Sequence, residues 1–168
     1  MHKMKLAAFA AMSAMTASGP ALAATATADL NVSITLINQC KVTGGSINFG
    51  NTVGLLDTAI PATGTIAVKC TALAPYTVGL DAGKGNGATT SIRKMSKGTP
   101  SASAPVVTYT LAMDSAGGPN WGNAAGSWKS GIGALGAATQ YTVYGNVPVQ
   151  DTPEAGTYND TVTVTVTY

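Results

Sequence analysis

The chain contains few charged residues, a single histidine and two cysteines. Only 10% of its residues are charged, with 9 Lys or Arg against 7 Asp or Glu. No basic stripe is present that could neutralise the phosphates of a nucleic acid. Beyond the N-terminal residues, no apolar stretch approaches the roughly 20 residues that a membrane-spanning helix needs. We therefore expect neither nucleic-acid binding nor a membrane span.

The first 23 residues have the pattern of a secretory signal peptide. His2, Lys3 and Lys5 form a basic start, an apolar run covers Leu6–Ala17, and Ala21-Leu22-Ala23 supplies a small-residue cleavage site. We predict that residues 1–23 are a signal peptide and that the mature chain enters an oxidising compartment. Loss of the two lysines leaves seven basic residues facing the 7 acidic ones.

The predicted mature chain lacks the residues that enzymes usually use as a nucleophile–base pair. The only histidine, His2, is removed with the signal, so a Ser–His or Cys–His nucleophile pair cannot form. Two cysteines without histidine do not complete a zinc shell. Asp151 and Glu154 flank Pro153, and we interpret them as solvated loop acids. We predict no catalysis, no metal site and no cofactor.

Cys40 and Cys70 allow one intramolecular pairing. In an exported protein we expect a disulfide between them, which stabilises the fold by about 3 to 4 kcal/mol according to the chain-entropy model. Two free thiols are the alternative, and they are uncommon in an oxidising compartment.

The mature chain alternates apolar and polar residues in short runs separated by Gly and Pro, with no helical period. This pattern predicts a single all-β sandwich. A long Gly- and Ala-rich loop at 114–138 holds both tryptophans and precedes the last two predicted strands. The predicted strands are 64–70, 76–81, 89–95, 106–113, 139–149 and 161–168.

The C-terminal residues predict an edge that needs a partner. Tyr158 precedes the final strand as in the tyrosine corner of an immunoglobulin-type sandwich, where it marks the start of strand F. We expect strand G to be missing, which leaves an open groove and an unpaired edge. The alternative is an ordinary edge strand. One parity of the final strand should face the core and the groove: Tyr158, Val162, Val164, Val166 and Tyr168.

The segment 24–38 has a wholly apolar face made by Leu30, Val32, Ile34 and Leu36. We interpret it as a donor strand that fills the groove of a neighbouring copy by β-strand addition, with residues 39–168 forming the incomplete domain. Burial of four aliphatic side chains would contribute roughly 6 to 12 kcal/mol before ordering costs. The alternative is an ordinary first strand of the chain's own sheet.

Trp121 and Trp128 lie in the long loop and admit two interpretations. Exposed aromatic rings can stack on sugars or insert in an apolar surface, which would give an adhesive function. Buried tryptophans, in contrast, pin a long loop to the sandwich.

The chain resembles the spore coat protein U domain family, and the resemblance covers nearly the whole mature sequence in the family's order. It rests on the alternating segment before Cys40 and on these motifs: Ile47-Asn48-Phe49-Gly50, Val68-Lys69-Cys70, Arg93-Lys94-Met95, Val107-Thr108-Tyr109-Thr110-Leu111, Trp121-Gly122, Tyr144-Gly145 and Gly156-Thr157-Tyr158-Asn159-Asp160 with the valines that follow. The long loop at 114–138 departs from the family.

The family includes subunits of archaic, Csu-type chaperone–usher pili. The resemblance implies an incomplete immunoglobulin-like fold, a periplasmic chaperone that lends a strand, an outer-membrane usher, and donor-strand exchange into a surface fibre that supports adhesion and biofilm formation. By that resemblance the donor is the segment around Leu30–Leu36. Two alternatives stay open: a sugar- or surface-binding adhesin module, and a coat or matrix protein that forms no pilus.

Overall fold

A computed structural model of the protein describes residues 24–168. The signal peptide predicted at residues 1–23 lies outside this range. Of the described residues, 24–35 belong to one unit and Leu36–Tyr168 to another. Residues 24–39 belong to no strand. In the described part of the chain, no helix is long and apolar enough to cross a membrane.

The unit Leu36–Tyr168 is all-β, as predicted, and its strands form two sheets. The larger sheet has six strands in the order β1-β2-β7-β5-β4-β8, and the smaller has the order β6-β3-β9. Every strand pair is antiparallel. The strands are β1 Cys40–Thr43, β2 Ile60–Cys70, β3 Pro75–Leu80, β4 Arg93–Lys97, β5 Val106–Ala112, β6 Lys129–Ile132, β7 Thr139–Val147, β8 Tyr158–Asn159 and β9 Val164–Thr167.

The core lies between the two sheets and follows the alternation of the sequence. Ile66 and Val68 of β2 and Val143 of β7 point inward and are buried, while the residues between them are more exposed. Strand β3 is different, because Val78, Gly79 and Leu80 are all buried. It lies at the centre of its sheet between β6 and β9, so both of its edges are paired.

The predicted disulfide is present. Cys40, the first residue of β1, is bonded to Cys70, the last residue of β2, and the two residues are direct partners in the ladder between these strands. The bond therefore joins the start of the first strand to one end of the longest strand.

The loop predicted at 114–138 contains a strand that the sequence did not indicate. Residues Lys129–Ile132 form β6 and pair with Pro75–Val78 of β3. The sequence Lys-Ser-Gly-Ile has little intrinsic strand preference, so the pairing with a buried neighbouring strand decides its conformation.

The final strand was predicted to run unbroken from 161 to 168, but only Val164–Thr167 form a strand. Tyr158–Asn159 pairs with β4 in the larger sheet, whereas Val164–Thr167 pairs with β3 in the smaller one. Between them, carboxylates replace ladder partners. Asp160 accepts a hydrogen bond from the amide of Thr161 at 2.7 Å, and Asp81 accepts one from the amide of Thr163 at 2.8 Å.

Candidate functional site: an open apolar groove

A cavity of about 460 Å³ opens to solvent between the two sheets. Many of its lining side chains are apolar, and these come from seven separate strands, from the segment after β1 and from the residues before β9. The apolar side chains that line it are Ile47, Phe49, Ile66, Leu80, Met95, Tyr109, Leu111, Val143, Tyr158, Val162 and Val164. We call this cavity the groove.

Two extended segments form the rims of the groove. One rim is Gly44–Phe49, which follows β1, and the other is 158–164, which contains β8 and the start of β9. Within the described residues, β1 pairs only with β2 and β9 pairs only with β3. Each therefore has one edge whose backbone groups lack a ladder partner. Val164 of β9 lines the groove, and so does the chain that continues from β1, beginning at Gly44. An unpaired edge beside an apolar cleft is a feature that folded proteins normally cover.

The apolar side chains at the rims are only partly shielded. Ile47, Phe49, Val162 and Val164 pack against the core but remain half-buried. The floor is better covered, since Leu80 and Leu111 are 1% and 4% exposed. The groove can therefore gain apolar burial at its rims if an extended segment enters it.

The side chains of the last strand alternate as the sequence predicted, with one exception. Val162 and Val164 line the groove, and Val166 packs against the core. Tyr168 was expected to face inward, but it is 54% exposed. It lies one residue beyond the last ladder pair, Thr77 with Thr167, so no neighbouring strand orients it.

Tyr158 has the hydrogen bond of a tyrosine corner. Its hydroxyl donates to the carbonyl of Glu154, four residues upstream, at 2.7 Å. The same turn is held by Lys97, whose Nζ lies 2.9 Å from Glu154 Oε1 and donates to the carbonyl of Ala155 at 2.9 Å. These contacts fix the chain where it enters the groove rim.

A polar cluster closes one side of the groove. The hydroxyl of Tyr109 donates to Asp160 Oδ2 at 2.7 Å, and the amide of Lys84 donates to Asp160 Oδ1 at 2.7 Å. Burial, together with the hydrogen bond and the negative charge of Asp160, raises the pKa of Tyr109. The phenol therefore stays protonated and remains a donor.

Asp81 adds a second carboxylate to this cluster. Its Oδ1 accepts hydrogen bonds from the amides of Gly83 and Thr163 at 2.9 and 2.8 Å. Burial alone would raise the pKa of Asp81, but the hydrogen bonds from Thr163 and Gly83 and the charge of Lys84 outweigh it and lower the pKa. The charged form thus holds the rim in place.

Arg93 is buried completely and links the sheets behind the groove. Its guanidinium donates to the carbonyls of Leu80, Asp81, Thr90 and Trp121, at 3.2, 2.8, 2.6 and 2.8 Å. Burial lowers the pKa of Arg93, while Tyr109, Asp81 and Asp160 raise it. The residue belongs to the Arg93-Lys94-Met95 motif, but no pattern in the sequence predicts that it donates to four carbonyls.

The two tryptophans occupy different environments. Trp121 is 0% exposed, and its Nε1 donates to the carbonyl of Val78 at 2.9 Å. The surface contact considered for it is therefore wrong, and the loop-pinning interpretation is right. Trp128 is 37% exposed and remains accessible. Gly79 and Gly122 permit the close approach of this loop, because a Cβ on Gly79 would lie 3.0 Å from the Cα of Asn123.

The N-terminal segment presents its apolar face to solvent. Leu30, Val32, Ile34 and Leu36 are 87, 85, 84 and 77% exposed, and none of them belongs to a strand. The segment is thus not a first strand of the chain's own sheet in this structure. Four aliphatic side chains at period two are available to a partner.

Among the described residues, no group of three or more His, Cys, Asp or Glu side chains is placed to hold a metal ion. The features that the groove does offer are an apolar floor, two partly exposed rims and free backbone edges. These features suit the binding of an extended peptide by strand addition.

Comparison with known proteins gives consistent matches. The spore coat protein U domain matches residues 26–165. Protein U of Myxococcus xanthus is 35% identical over 179 residues, which cover 99% of this chain and 98% of that protein. A chain in the crystal structure of the CsuC–CsuE chaperone–tip adhesion subunit pre-assembly complex, from archaic chaperone–usher Csu pili of Acinetobacter baumannii, is similar in fold, with a TM-score of 0.55 and 26% identity. That match covers 80% of this chain but 40% of the other.

Proposed function

The chain belongs to the spore coat protein U domain family, whose members are structural coat and pilus proteins and not enzymes, and from this we propose that it is a structural subunit of a surface pilus. In this proposal the domain is an incomplete immunoglobulin-like sandwich that lacks its last strand. Donor-strand exchange completes it, and the resulting fibre supports adhesion and biofilm formation.

The open groove is the observation that carries the proposal. The rim 158–164 and the segment Leu30–Leu36 each contain seven residues, which correspond to about 20 Å of extended chain. The segment alternates apolar and polar residues over its whole length, and the rim does so from Thr161 to Val164. One register therefore places every apolar side chain of the segment toward the groove. The match in length and period favours this segment of a second copy as the occupant.

The free backbone edges favour the same occupant. An extended segment between the rims would supply ladder partners to β9 and to the residues after β1, and each net hydrogen bond contributes about 1 kcal/mol. Its four aliphatic side chains would add roughly 6 to 12 kcal/mol of burial before ordering costs. Because the segment is at the N-terminal side and the groove in the domain, each copy has both halves of the contact.

The partners follow from the same arrangement. Before assembly, a periplasmic chaperone fills the groove with a strand of its own, as the chaperone–subunit complex of the Csu relative suggests. An outer-membrane usher then replaces the chaperone strand with the donor of the next copy. The protein therefore leaves the cytoplasm by its signal peptide, passes through the periplasm and becomes part of the cell surface.

Substitution of the donor face tests the mechanism. Ile34→Asp places a charge at the centre of the apolar face, and we expect it to abolish the polymer because an unpaired buried carboxylate is strongly unfavourable. Thr35→Asp, on the opposite face, is the matched control and should polymerise normally. Polymers are measured by electron microscopy of cells and by the ladder of multimers on gels without boiling.

The acceptor side has an equivalent pair. Val162→Asp, at the groove rim, should abolish polymer, while Thr165→Asp, which is exposed on β9, should not. A normal multimer ladder from both Ile34→Asp and Val162→Asp would contradict donor-strand exchange. A coat or matrix protein without pili would instead give secreted material that is insensitive to both substitutions.

A further inference from the structure

Two exposed apolar patches lie at opposite ends of β2, outside the groove. The first, which we call the disulfide-end patch, consists of Leu73, Ile132 and Leu135, which are 83, 63 and 90% exposed. The second, the far-end patch, consists of Val53, Leu55 and Val149, which are 46, 67 and 63% exposed. Strand β2 has 11 residues, so roughly 33 Å separates its ends.

The structure holds each patch together. In the disulfide-end patch, the amide of Leu73 donates to the carbonyl of Gly133 at 2.9 Å, which places the turn after β2 beside the loop that carries Ile132 and Leu135. In the far-end patch, the amide of Gln150 donates to the carbonyl of Leu56 at 3.1 Å, so Leu55 and Val149 lie on adjacent segments. In each patch, a backbone hydrogen bond therefore holds two of the contributing segments side by side.

Leu73 combines two unfavourable properties. It is exposed, and its φ of 64° lies in the left-handed region that a leucine rarely adopts. A glycine or asparagine would accept this conformation at lower cost. Within a single copy the leucine side chain gains no burial there, so the residue is best explained by a contact with another molecule.

The position of the disulfide-end patch identifies that molecule. The hydroxyl of Thr71 donates to the carbonyl of Ile37 at 3.1 Å, and the amide of Thr71 donates to the carbonyl of Gln39 at 2.9 Å. The chain is thus anchored beside Leu73 only one residue after Leu36, a distance of about 3.8 Å between Cα atoms. A copy that holds Leu36 in its groove must approach the disulfide end closely.

The far-end patch is the surface that this copy presents. Strand β9 runs toward the disulfide end, because Thr167 pairs with Thr77 near the start of β3. A donor antiparallel to this rim has its Leu36 end at the opposite end of the groove, near Phe49 and Val53. A parallel donor would end where the acceptor's own N-terminal segment leaves, and the two segments would collide.

We propose that the disulfide-end patch of one copy packs on the far-end patch of the next, as a head-to-tail contact additional to the donor strand. This inference rests on the proposed function. A heterologous contact between two different surfaces generates an open filament and not a closed pair. The contact would fix the angle between successive subunits, which a one-residue connection alone leaves free.

Cross-linking in assembled polymers tests the contact. Leu135→Cys combined with Leu55→Cys should give a ladder of covalent multimers with a short bismaleimide, and the ladder should survive boiling. The control pair, Leu135→Cys with Ile92→Cys, places the second thiol on an exposed residue outside both patches and should give none. No ladder, or an equal ladder from the control pair, would overturn the inference.

A second variant separates the contact from folding. Leu73→Asn keeps the left-handed backbone and removes the apolar side chain, so we expect at least about a tenfold loss of cross-linked product from polymers of unchanged subunit stability. Ile92→Asn should leave the yield unchanged. Normal polymers of Ile34→Asp would show that the donor-strand mechanism is wrong. If polymers are lost in Ile34→Asp but the cysteine pair gives no covalent ladder, only the contact between the patches is refuted.

Discussion

The groove and the polar cluster beside it differ in how far each is completed by the chain itself. Around Arg93, four carbonyls receive hydrogen bonds from one buried guanidinium, and Asp81 and Asp160 accept hydrogen bonds from backbone amides and a tyrosine. Along the groove, apolar rims and backbone edges lack such partners within the described residues. The comparison teaches that the chain satisfies the charged groups of this cluster internally but leaves apolar surface and backbone edges at the groove for another molecule.

Loss of Arg93 should have the largest effect on subunit stability. Arg93→Met keeps much of the side-chain volume but leaves four carbonyls without their donor, and we expect a loss of about 4 kcal/mol. Lys94→Met is the control, since Lys94 donates only to the exposed carbonyl of Asn86 at 3.3 Å, and it should change stability by less than about 0.5 kcal/mol. Urea unfolding measures both. Equal effects would mean that the cluster does not support the fold as described.

The tryptophans should separate next. Trp121→Phe removes the hydrogen bond to Val78 and leaves a void at a fully buried site, so we expect a loss of about 2 to 3 kcal/mol. Trp128→Phe should cost less than about 1 kcal/mol because that ring is partly exposed. If adhesion of cells carrying the fibre falls only with Trp128→Phe, the exposed ring contributes a surface contact. Thermal unfolding together with an adhesion assay distinguishes the two roles.

Valine truncation sharpens the contrast between a filled and an open part of the core. Val78→Ala, at a fully buried site, should cost about 2 kcal/mol with or without a partner. Val164→Ala, at the groove rim, should cost about 1 kcal/mol or less in the free subunit and more once a peptide of residues 28–38 is bound. Urea unfolding with and without the peptide measures this. An identical cost for Val164→Ala under both conditions would place the peptide elsewhere.

The smallest expected effect is on pH dependence. The pKa of Asp81 is lowered in the folded protein, so its contribution to stability is present above its unfolded pKa of about 3.9 and is lost as pH falls through the lower folded pKa. Asp81 is only partly buried, so solvent screens it, and we expect less than about 1 kcal/mol. Between about pH 5 and about pH 3, the free energy of unfolding should fall less with decreasing pH in Asp81→Asn than in the unmodified protein. The same slope in both proteins would assign the acid sensitivity to other carboxylates.

The sequence predicted those parts of the fold that follow from local alternation. The strands around Ile66, Val78 and Val143, the disulfide and the hydrogen bond of Tyr158 all rest on period-two patterns, cysteine count or a short motif. The groove was predicted from a missing partner strand, and the structure adds its rims and its volume. Its lining joins residues more than 100 positions apart, such as Ile47 and Val164, which no local pattern can pair.

The features that the sequence did not predict depend on tertiary contacts between residues that are far apart in the chain. Strand β6 exists because β3 offers an edge, and the last strand changes sheets because Asp81 and Asp160 take amides that would otherwise seek a ladder partner. Arg93 resembles an ordinary strand residue in the sequence, yet it is 0% exposed. Burial of Trp121 likewise follows from a hydrogen bond to a strand some 40 residues away.

The disulfide has a mechanical consequence for a subunit that is pulled by its N-terminal segment. Tension arriving at Gln39 would first meet β1, a strand of 4 residues that pairs, within residues 24–168, with β2 alone and could peel away one hydrogen bond at a time. Because Cys40 is bonded to Cys70, the load bypasses β1 and enters β2, which pairs with β7 along Ile60–Val68. Without the disulfide, the hydrogen bonds between β1 and β2 would break one after another. With it, the load falls on the ladder between β2 and β7, whose hydrogen bonds must break together in shear.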